Sequence, residues 1–136
     1  MTAQTGPRAL ADESRCPCLS GNTYGACCGR FHSGEAVAPT AEALMRSRFS
    51  AFAVGDASYL LATWHPSTRP KNLDVDADLT WYRLDVLGRW NGGPLDSEGT
   101  VEFRAFCKGP TGRADQHEVS RFVRENRQWY YVDAVE

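Results

Sequence analysis

Residues 16–29, CPCLSGNTYGACCG, contain four of the five cysteines of this 136-residue chain. Zn²⁺ prefers four soft ligands in a tetrahedron, and thiolates provide them. Two close pairs of thiols, one at each end of a short loop, are enough to surround such an ion, and the intervening glycines permit the tight turns that the loop needs. The stretch therefore predicts one zinc site with C-x-C-x8-C-C spacing: Cys16, Cys18, Cys27 and Cys28.

The segment that carries these cysteines, residues 15–34, is called the knuckle here. It has too few apolar side chains to form a core of its own, so the ion would order it. Four bound thiolates and one dication would leave a net charge of about −2 at the site. Arg15, Arg30 and backbone N–H groups are candidates to offset that charge.

Other uses of the same thiols stay open on the sequence alone. Two disulfides would allow three connectivities, although a bond between the adjacent Cys27 and Cys28 is strained and cytosolic thiols stay reduced. An iron–sulfur cluster uses the same four-thiolate chemistry, usually at other spacings. His32 lies five residues beyond Cys27 and could replace Cys28 as the fourth ligand.

Length and charge bound the remaining possibilities. The formal net charge of −2 lacks the overall positive field that non-specific nucleic-acid binders use. No apolar run approaches the roughly 20 residues of a membrane span, and the first residues lack the apolar segment of a signal peptide. We therefore expect a cytoplasmic protein that makes no membrane contact, with three parts: a flexible leader at 1–14, the knuckle at 15–34 and one folded domain at 35–136.

Helical spacing begins after Pro39. The stretch TAEALMRSRFSAFAVGD, residues 40–56, predicts a helix capped by Thr40 and ended by Gly55. Arg46, Arg48 and Ser50 occupy other positions around it. Asp56 can cap a second helix over ASYLLATWH, which Pro66 stops. The apolar face of the first helix is predicted to contain Ala41, Leu44, Met45, Phe49, Phe52 and Ala53.

Beyond Thr80 the apolar pattern changes to a period of two. It predicts strands at 81–90, 100–108, 116–124 and 128–133, with NGGP as a turn, GPTGRAD as a break and ENR as a tight hairpin. Two helices followed by four strands indicate an α+β fold, in which a curved antiparallel sheet packs on the helices. Two strand faces are predicted to be apolar: Tyr82, Leu84, Val86 and Trp90 on the first strand, and Val101, Phe103, Ala105 and Cys107 on the second.

The cysteine stretch resembles the SEC-C motif, a zinc knuckle whose ligands correspond here to Cys16, Cys18, Cys27 and Cys28. The rest of the chain, with MRSRFSAF, YLLATWHPSTRP and HEVSRFVRENRQWYYVD, resembles the YchJ-like family of bacterial proteins. The resemblance implies a nuclear-transport-factor-2-like cone, a curved sheet wrapped around helices, joined to the knuckle. It also implies that the knuckle contacts a partner and that the open sheet face can form a homodimer.

Candidate residues for a ligand site in the cone lie near the second helix and on the third strand. His65, beside Trp64, could exchange a proton near pH 7, although it could equally end the helix. Arg69 could hold an anion. The third strand carries Glu118, Ser120 and Phe122 on one face and Val119, Arg121 and Val123 on the other, so one polar pair would point into the cone. An interior Glu118 would need a partner such as Arg104 or His65.

These observations support three functional hypotheses. The leading one is a zinc-binding, non-catalytic adaptor whose knuckle contacts a protein or a ribonucleoprotein. The second is an enzyme of the isomerase, hydrolase or dehydratase type, with His65 as acid or base, Glu118 or Arg69 orienting a small substrate, and Trp64, His65, Arg69 and Arg121 as ligand-binding candidates. The third is a nucleic-acid or ribosome binder that associates in a salt-dependent way.

Overall fold

Four antiparallel strands form one sheet in the computed structural model, which describes residues 10–135. The spatial order of the strands follows their order in the chain. The strands are β1 Thr80–Asn91, β2 Glu98–Gly109, β3 Gly112–Glu125 and β4 Gln128–Ala134. The helices are α1 Cys28–His32, α2 Ala41–Val54 and α3 Ala57–Ala62. The predicted α+β fold is thereby confirmed.

Helix α2 begins and ends where its sequence predicts. The Thr40 side chain accepts a hydrogen bond from the Ala43 N–H at 3.0 Å, which satisfies one of the free donors at the helix start. Gly55 ends the helix with a φ of 78°, a left-handed conformation that glycine adopts without steric cost. One face of the helix packs against the sheet and forms the main core, which includes Leu44, Met45, Phe49, Leu84, Val101, Phe122 and Trp129.

Helix α3 is shorter than predicted. Asp56 caps it by accepting from the Tyr59 N–H at 3.1 Å, as its sequence indicates. The helix stops at Ala62 because the next residues bond to β4 instead. The Tyr131 N–H donates to the Thr63 carbonyl and the His65 N–H to the Tyr131 carbonyl, both at 2.8 Å. The segment after α3 is thus held on the edge of the sheet.

Strand β1 presents different residues to the core from those predicted. Its pairing with β2 is irregular between Trp81 and Arg83 and again between Val86 and Gly88. Such irregularities rotate the alternation of side chains. The prediction was therefore wrong for Tyr82 and Trp90, which are exposed. The residues of β1 that pack toward the core are Trp81, Leu84 and Val86.

The two hairpins that contain β3 have two-residue turns. Gly109 pairs with Gly112, so the break predicted over GPTGRAD is confined to two residues and β3 starts four residues before the predicted position 116. The ENR hairpin is confirmed. Asn126 and Arg127 both have positive φ, 53° and 67°, as the tight turn between right-twisted strands requires.

The knuckle lies against α2, on the side of the helix away from the sheet. Arg48 and Ser50 were predicted outside the apolar face of α2 but are both buried, Arg48 on the side of the helix that faces the sheet and Ser50 on the side that faces the knuckle. Of the predicted leader, residues 1–9 lie outside the described residues. The backbone of Asp12 and Ser14 accepts hydrogen bonds from the knuckle at 2.8 and 2.7 Å. No helix within residues 10–135 is long and apolar enough to cross a bilayer.

Candidate metal centre and cone cavity

The four cysteine sulfurs of the knuckle converge on one point. All four Sγ atoms lie within 4.8 Å of one another. The Sγ atoms of Cys18 and Cys27 are 3.7 Å apart, and those of Cys27 and Cys28 are 3.9 Å apart. A tetrahedron with metal–sulfur bonds of about 2.3 Å has edges of about 3.8 Å, so the sulfurs fit a tetrahedral metal ion. All five cysteines are free thiols, so the disulfide alternative was wrong.

The local backbone brings the two pairs of cysteines together. The Leu19 N–H donates to the Cys16 carbonyl at 3.0 Å, which folds the C-x-C segment into a turn with Leu19 at a φ of 64°. The second pair lies at the start of α1. Gly29 follows it directly, and a Cβ there would stand 2.8 Å from the Tyr24 carbonyl. A side chain at this position would push the second pair away from the first.

Hydrogen bonds among the thiols distribute the protons of the cluster unequally. Hydrogen bonds from the Cys18 and Cys28 thiols hold the pKa of Cys16 well below its ordinary value, and the backbone N–H groups of the same two residues lower it further. Donating to Cys16 raises the pKa of Cys18 to about 11 and raises that of Cys28 strongly. Among Cys16, Cys18 and Cys28, the Cys16 thiol therefore loses its proton most readily, and binding a cation must displace the protons of the other two.

Two arginines brace the carbonyl groups of the ligand residues. Arg46 of α2 donates to the Cys18 carbonyl at 3.0 Å, and Arg30 of α1 donates to the Cys27 carbonyl at 3.2 Å. Both bring positive charge close to a site that gains negative charge when the thiols ionise. Arg30 was a sequence candidate for this arrangement, whereas Arg46 was not recognised. Arg15, the other candidate, is exposed and joins its backbone to Thr23.

Ser50 of α2 extends the contacts of the cluster into the main domain. Its Oγ lies 3.6 Å from the Cys16 Sγ, and its hydrogen bond opposes part of the rise that Cys16 and Cys18 cause in the pKa of Cys28. Ser50 is fully buried. No local sequence pattern indicates this contact, because it joins residues that are 34 positions apart.

His32 does not belong to the cluster. Its Nε2 donates to the Ser47 carbonyl at 2.8 Å, which leaves Nδ1 to accept from the Tyr24 hydroxyl at 2.6 Å. Its ring also lies 4.6 Å from that of Tyr59. Both nitrogens are thus engaged, and Cys28 supplies the fourth sulfur. The alternative of a histidine ligand does not fit this geometry, and His32 instead joins the knuckle to α2.

A second candidate site lies between α2 and the sheet. This space, called the cone cavity here, has a volume of about 270 Å³. Aromatic side chains form much of its wall, and six polar or amphipathic residues lie among them. They are Arg48, Trp64, Gln116, Glu118, Ser120 and Tyr131.

Two of the predicted ligand-site residues line this cavity and three do not. Trp64 and Glu118 face it. His65 lies outside the wall, where its Nε2 contacts the Glu125 carboxylate at 3.1 Å. Arg69 donates to the Trp64 carbonyl at 2.9 Å and so supports the cavity wall from behind. Arg121 is exposed on the opposite sheet face. The acid–base set that the enzyme hypothesis requires is therefore not assembled around Glu118.

Arg121 forms an ion pair with Asp133 of the neighbouring strand. Its Nε lies 3.2 Å from the Asp133 carboxylate. The hydrogen bond to this carboxylate and its charge raise the pKa of Arg121. The sequence correctly divided β3 into two faces, and the face that points into the cone is the one with Glu118.

The partners of Glu118 differ from those predicted. Its carboxylate accepts hydrogen bonds from the Ser120 hydroxyl at 2.5 Å, the Tyr131 hydroxyl at 3.1 Å and the Gln116 amide at 3.1 Å. Arg104, the expected partner, pairs with Asp115. The register explains the difference: Glu118 lies opposite the inward-facing Phe103, so the next residue of β2 points to the other face.

Family models match two parts of the chain. The middle NTF2-like domain of YchJ matches residues 40–134, and the SEC-C motif matches residues 14–30. A UPF0225 protein from Corynebacterium glutamicum is 60% identical over 117 residues, which covers 86% of this chain and 93% of the relative. A UPF0225 protein from Streptomyces coelicolor is 52% identical over 118 residues, covering 87% and 92%.

Two solved structures resemble the fold over most of its length. The solution structure of a SEC-C motif containing protein from Rhodopseudomonas palustris has a TM-score of 0.76 at 35% identity, covering 88% of this chain and 95% of that one. The crystal structure of a SEC-C motif containing protein from Psychrobacter arcticus has a TM-score of 0.75 at 30% identity, covering 92% and 84%.

Proposed function

This chain belongs to the YchJ-like, UPF0225 family of bacterial proteins, and we propose that it is a zinc-binding adaptor whose knuckle contacts another macromolecule. The observation that carries the proposal is the set of four converging sulfurs. Four protein ligands complete the coordination of a tetrahedral ion, so no position is left for a substrate or a reactive water. A site of this kind supplies folding energy rather than chemistry.

Zinc is the proposed metal because of the type and spacing of the ligands. A closed tetrahedron of thiolates suits Zn²⁺ and iron, and separations of 3.7 to 3.9 Å match the edge expected for zinc–sulfur bonds. When bound, the ion would contribute no acid–base or redox step. It would hold Cys16 and Cys18 against Cys27 and Cys28 and so order the loop between them.

The proposed contact surface is the outward-facing turn of the knuckle. Leu19 is 44% exposed in this turn, and the side chains of Arg15 and Arg30 are also exposed. Exposed apolar residues and arginines are both typical of protein interfaces, in which arginine is enriched and apolar anchors provide much of the binding energy. We therefore favour a protein partner, or the protein component of a ribonucleoprotein.

Elemental analysis of untagged, freshly reduced protein tests the metal. We expect one zinc per chain and little iron. The double variant Cys16→Ser/Cys18→Ser should lose the metal, whereas Cys107→Ser should keep it, because Cys107 is buried in the sheet away from the cluster. Substoichiometric zinc in the wild-type chain would refute the proposed centre.

A partner assay with matched leucine variants tests the contact surface. Leu19→Asp places a charge in the knuckle turn at a φ of 64°, which aspartate tolerates better than leucine does. Leu95→Asp is the control, because Leu95 is 95% exposed outside the knuckle. We expect only Leu19→Asp to lose cross-linked partners while both variants retain zinc.

The salt dependence of the captured complex distinguishes the kind of partner. A protein contact centred on Leu19 should weaken little over a tenfold change in salt concentration. A steep, log-linear loss of binding would indicate phosphate contacts and favour the nucleic-acid hypothesis instead. Equal capture by wild type and Leu19→Asp would exclude this turn as the contact surface.

A further inference from the structure

We propose that the cone cavity is a binding site for a small organic carboxylate with an apolar body. Three features carry this inference: a buried guanidinium that no carboxylate contacts directly, a buried indole N–H without an acceptor, and an aromatic wall around both. None of them depends on the metal centre, so this proposal and the zinc proposal succeed or fail separately.

The guanidinium belongs to Arg48, whose side chain is 6% exposed. Burial lowers the pKa of Arg48 only to about 10, so the group is charged at neutral pH. Both of its hydrogen bonds leave from Nη1, to the Leu60 carbonyl at 2.8 Å and the Thr63 hydroxyl at 2.7 Å. Within residues 10–135, Nε and Nη2 make no hydrogen bond and no carboxylate comes within ion-pair distance. The charge of Glu118 in the same cavity raises the pKa of Arg48, but it leaves two guanidinium nitrogens free to donate to a further anion.

Two aromatic rings hold this guanidinium in place. Its central carbon lies 4.6 Å from the centre of the Tyr131 ring and 5.2 Å from the centre of the Trp64 ring. These contacts fix the plane of the Arg48 fork, which suits the two oxygens of a carboxylate.

The indole N–H of Trp64 is the second unpaired donor. Its Nε1 is buried and, among the residues that the structure describes, has no hydrogen-bond acceptor. Buried donors without partners are rare in folded proteins and cost about 1–3 kcal/mol. Trp64 lies beside Arg48 in the same cavity wall. One carboxylate could accept from both donors.

The rest of the cavity selects against a fully hydrated anion. The wall opposite the polar groups is apolar and would favour an aliphatic or aromatic group on the ligand. Residues that form this wall include Met45, Phe49, Phe52, Trp81, Phe103 and Phe122.

The carboxylate of Glu118 acts on Arg48 through its charge, without an ion pair, and its own hydrogen bonds are already made. It accepts three hydrogen bonds, from Ser120, Tyr131 and Gln116. The unmet demand in the cavity is therefore for acceptors. The exposed Gln116 marks where the cavity reaches the surface, which gives a ligand a way in.

Titration of the full-length, metal-loaded chain with matched probes tests the site. The probes are hexanoate and benzoate, with hexanamide and benzamide as neutral controls. Binding of each probe is measured from the shifts of the indole N–H signals in the ¹H–¹⁵N spectrum. The Trp64 signal is identified by its loss in Trp64→Phe. We expect the two carboxylates to shift it saturably and to bind at least about tenfold more tightly than the amides, because a hydrogen bond to a charged group is the stronger one.

Two variants separate a ligand site from a structural arginine. Trp64→Phe removes the N–H but keeps a ring, and calorimetry should show about a tenfold weaker binding of hexanoate. Ala105→Leu fills the cavity from β2 without altering the Arg48 hydrogen bonds and should abolish binding while the circular dichroism spectrum is unchanged. Arg48→Met could unfold the chain, since Arg48 also holds the end of α3, so the inference does not depend on it.

Three results are incompatible with a carboxylate site in the cone cavity. Amides that bind as tightly as the carboxylates, a Trp64 shift that does not saturate, or hexanoate binding that survives Ala105→Leu would each overturn the proposal. Arg48 would then only anchor α3, and water would satisfy the indole N–H.

Discussion

The knuckle and the main domain are ordered by different means. The buried apolar cluster of the knuckle consists of three cysteines, Cys16, Cys18 and Cys28, with Tyr24 packed against them. The main domain instead buries large apolar side chains from α2 and all four strands. Apart from Phe31, which packs into the main core, the buried residues of the knuckle are its own metal ligands, so the segment has little hydrophobic stabilisation of its own. The first region should therefore depend on a metal and the second should not.

The two regions are nevertheless joined by specific contacts. His32 bonds to the Ser47 carbonyl of α2 and packs on Tyr59, and Arg46 reaches the Cys18 carbonyl. Ser50 touches the Cys16 sulfur. One long helix thus faces the sheet on one side and the knuckle on the other, so the comparison can be tested by damaging either region or the contacts between them.

Removal of the metal should have the largest effect. A strong chelator, or Cys16→Ser/Cys18→Ser, should unfold residues 15–34, because the metal-binding energy is also the folding energy of that segment. The strands of the main domain should stay folded. Amide resonances that lose dispersion only in the knuckle and along the facing side of α2 would be the expected result.

Simultaneous loss of structure in β2 and β3 on chelation would contradict this division. Cys107→Ser, treated identically, is the control for thiol loss without metal loss, because this thiol lies in β2.

Truncation of a side chain in the main core should destabilise the main domain and leave zinc bound to the knuckle. Trp129 is 1% exposed, and its indole N–H donates to the Pro39 carbonyl at 3.2 Å. Trp129→Ala should lower the free energy of unfolding by about 3–5 kcal/mol, from lost burial and the cavity left behind. Denaturant melts measure this, and Trp90→Ala, at a half-exposed position, is the matched control. Loss of zinc from folded Trp129→Ala would show that the core governs the metal site.

Disruption of the contacts between the two regions should have an intermediate effect. His32→Ala removes two hydrogen bonds and a ring contact, and should destabilise the chain by about 1–3 kcal/mol in a denaturant melt. Zinc stoichiometry should stay at one, because His32 is not a ligand in this geometry. His32→Phe restores the ring contact without the hydrogen bonds. Comparing it with His32→Ala therefore separates the contribution of the ring to the free energy of unfolding from that of the hydrogen bonds. A fall in zinc content in either variant would indicate that His32 is a zinc ligand.

The features predictable from sequence were those set by neighbours along the chain. The cysteine cluster follows from spacing within fourteen residues, and α2 follows from its period and from Thr40 and Gly55 at its ends. The faces of β1 were not predictable, because the irregularities at Trp81 and Val86 arise in pairing with β2. The sequence keeps its two-residue period across a bulge, whereas the side chains of the bulged strand change faces there.

Arg48 shows a different reason for failure. With Met45, Phe49 and Phe52 it lies at positions i, i+3, i+4 and i+7 of α2, so the helical period itself puts it on the buried face. Because it is charged, Arg48 was predicted to lie off the apolar face, and that prediction was wrong. A charged residue in phase with an apolar stripe is therefore a signal for a polar group inside a cavity, and this signal was available before the structure.

The smallest expected effect is at the start of α2, the helix that both regions share. Thr40→Ala removes the side-chain acceptor of the Ala43 N–H and should cost about 1 kcal/mol of stability, whereas Thr40→Ser should cost less because serine caps equally well. Since α2 supports the sheet and the knuckle alike, the loss should appear equally in the thermal melts of the zinc-loaded and the chelated chain. A cost confined to the zinc-loaded form would mean that α2 forms its first turn only when the knuckle is folded against it.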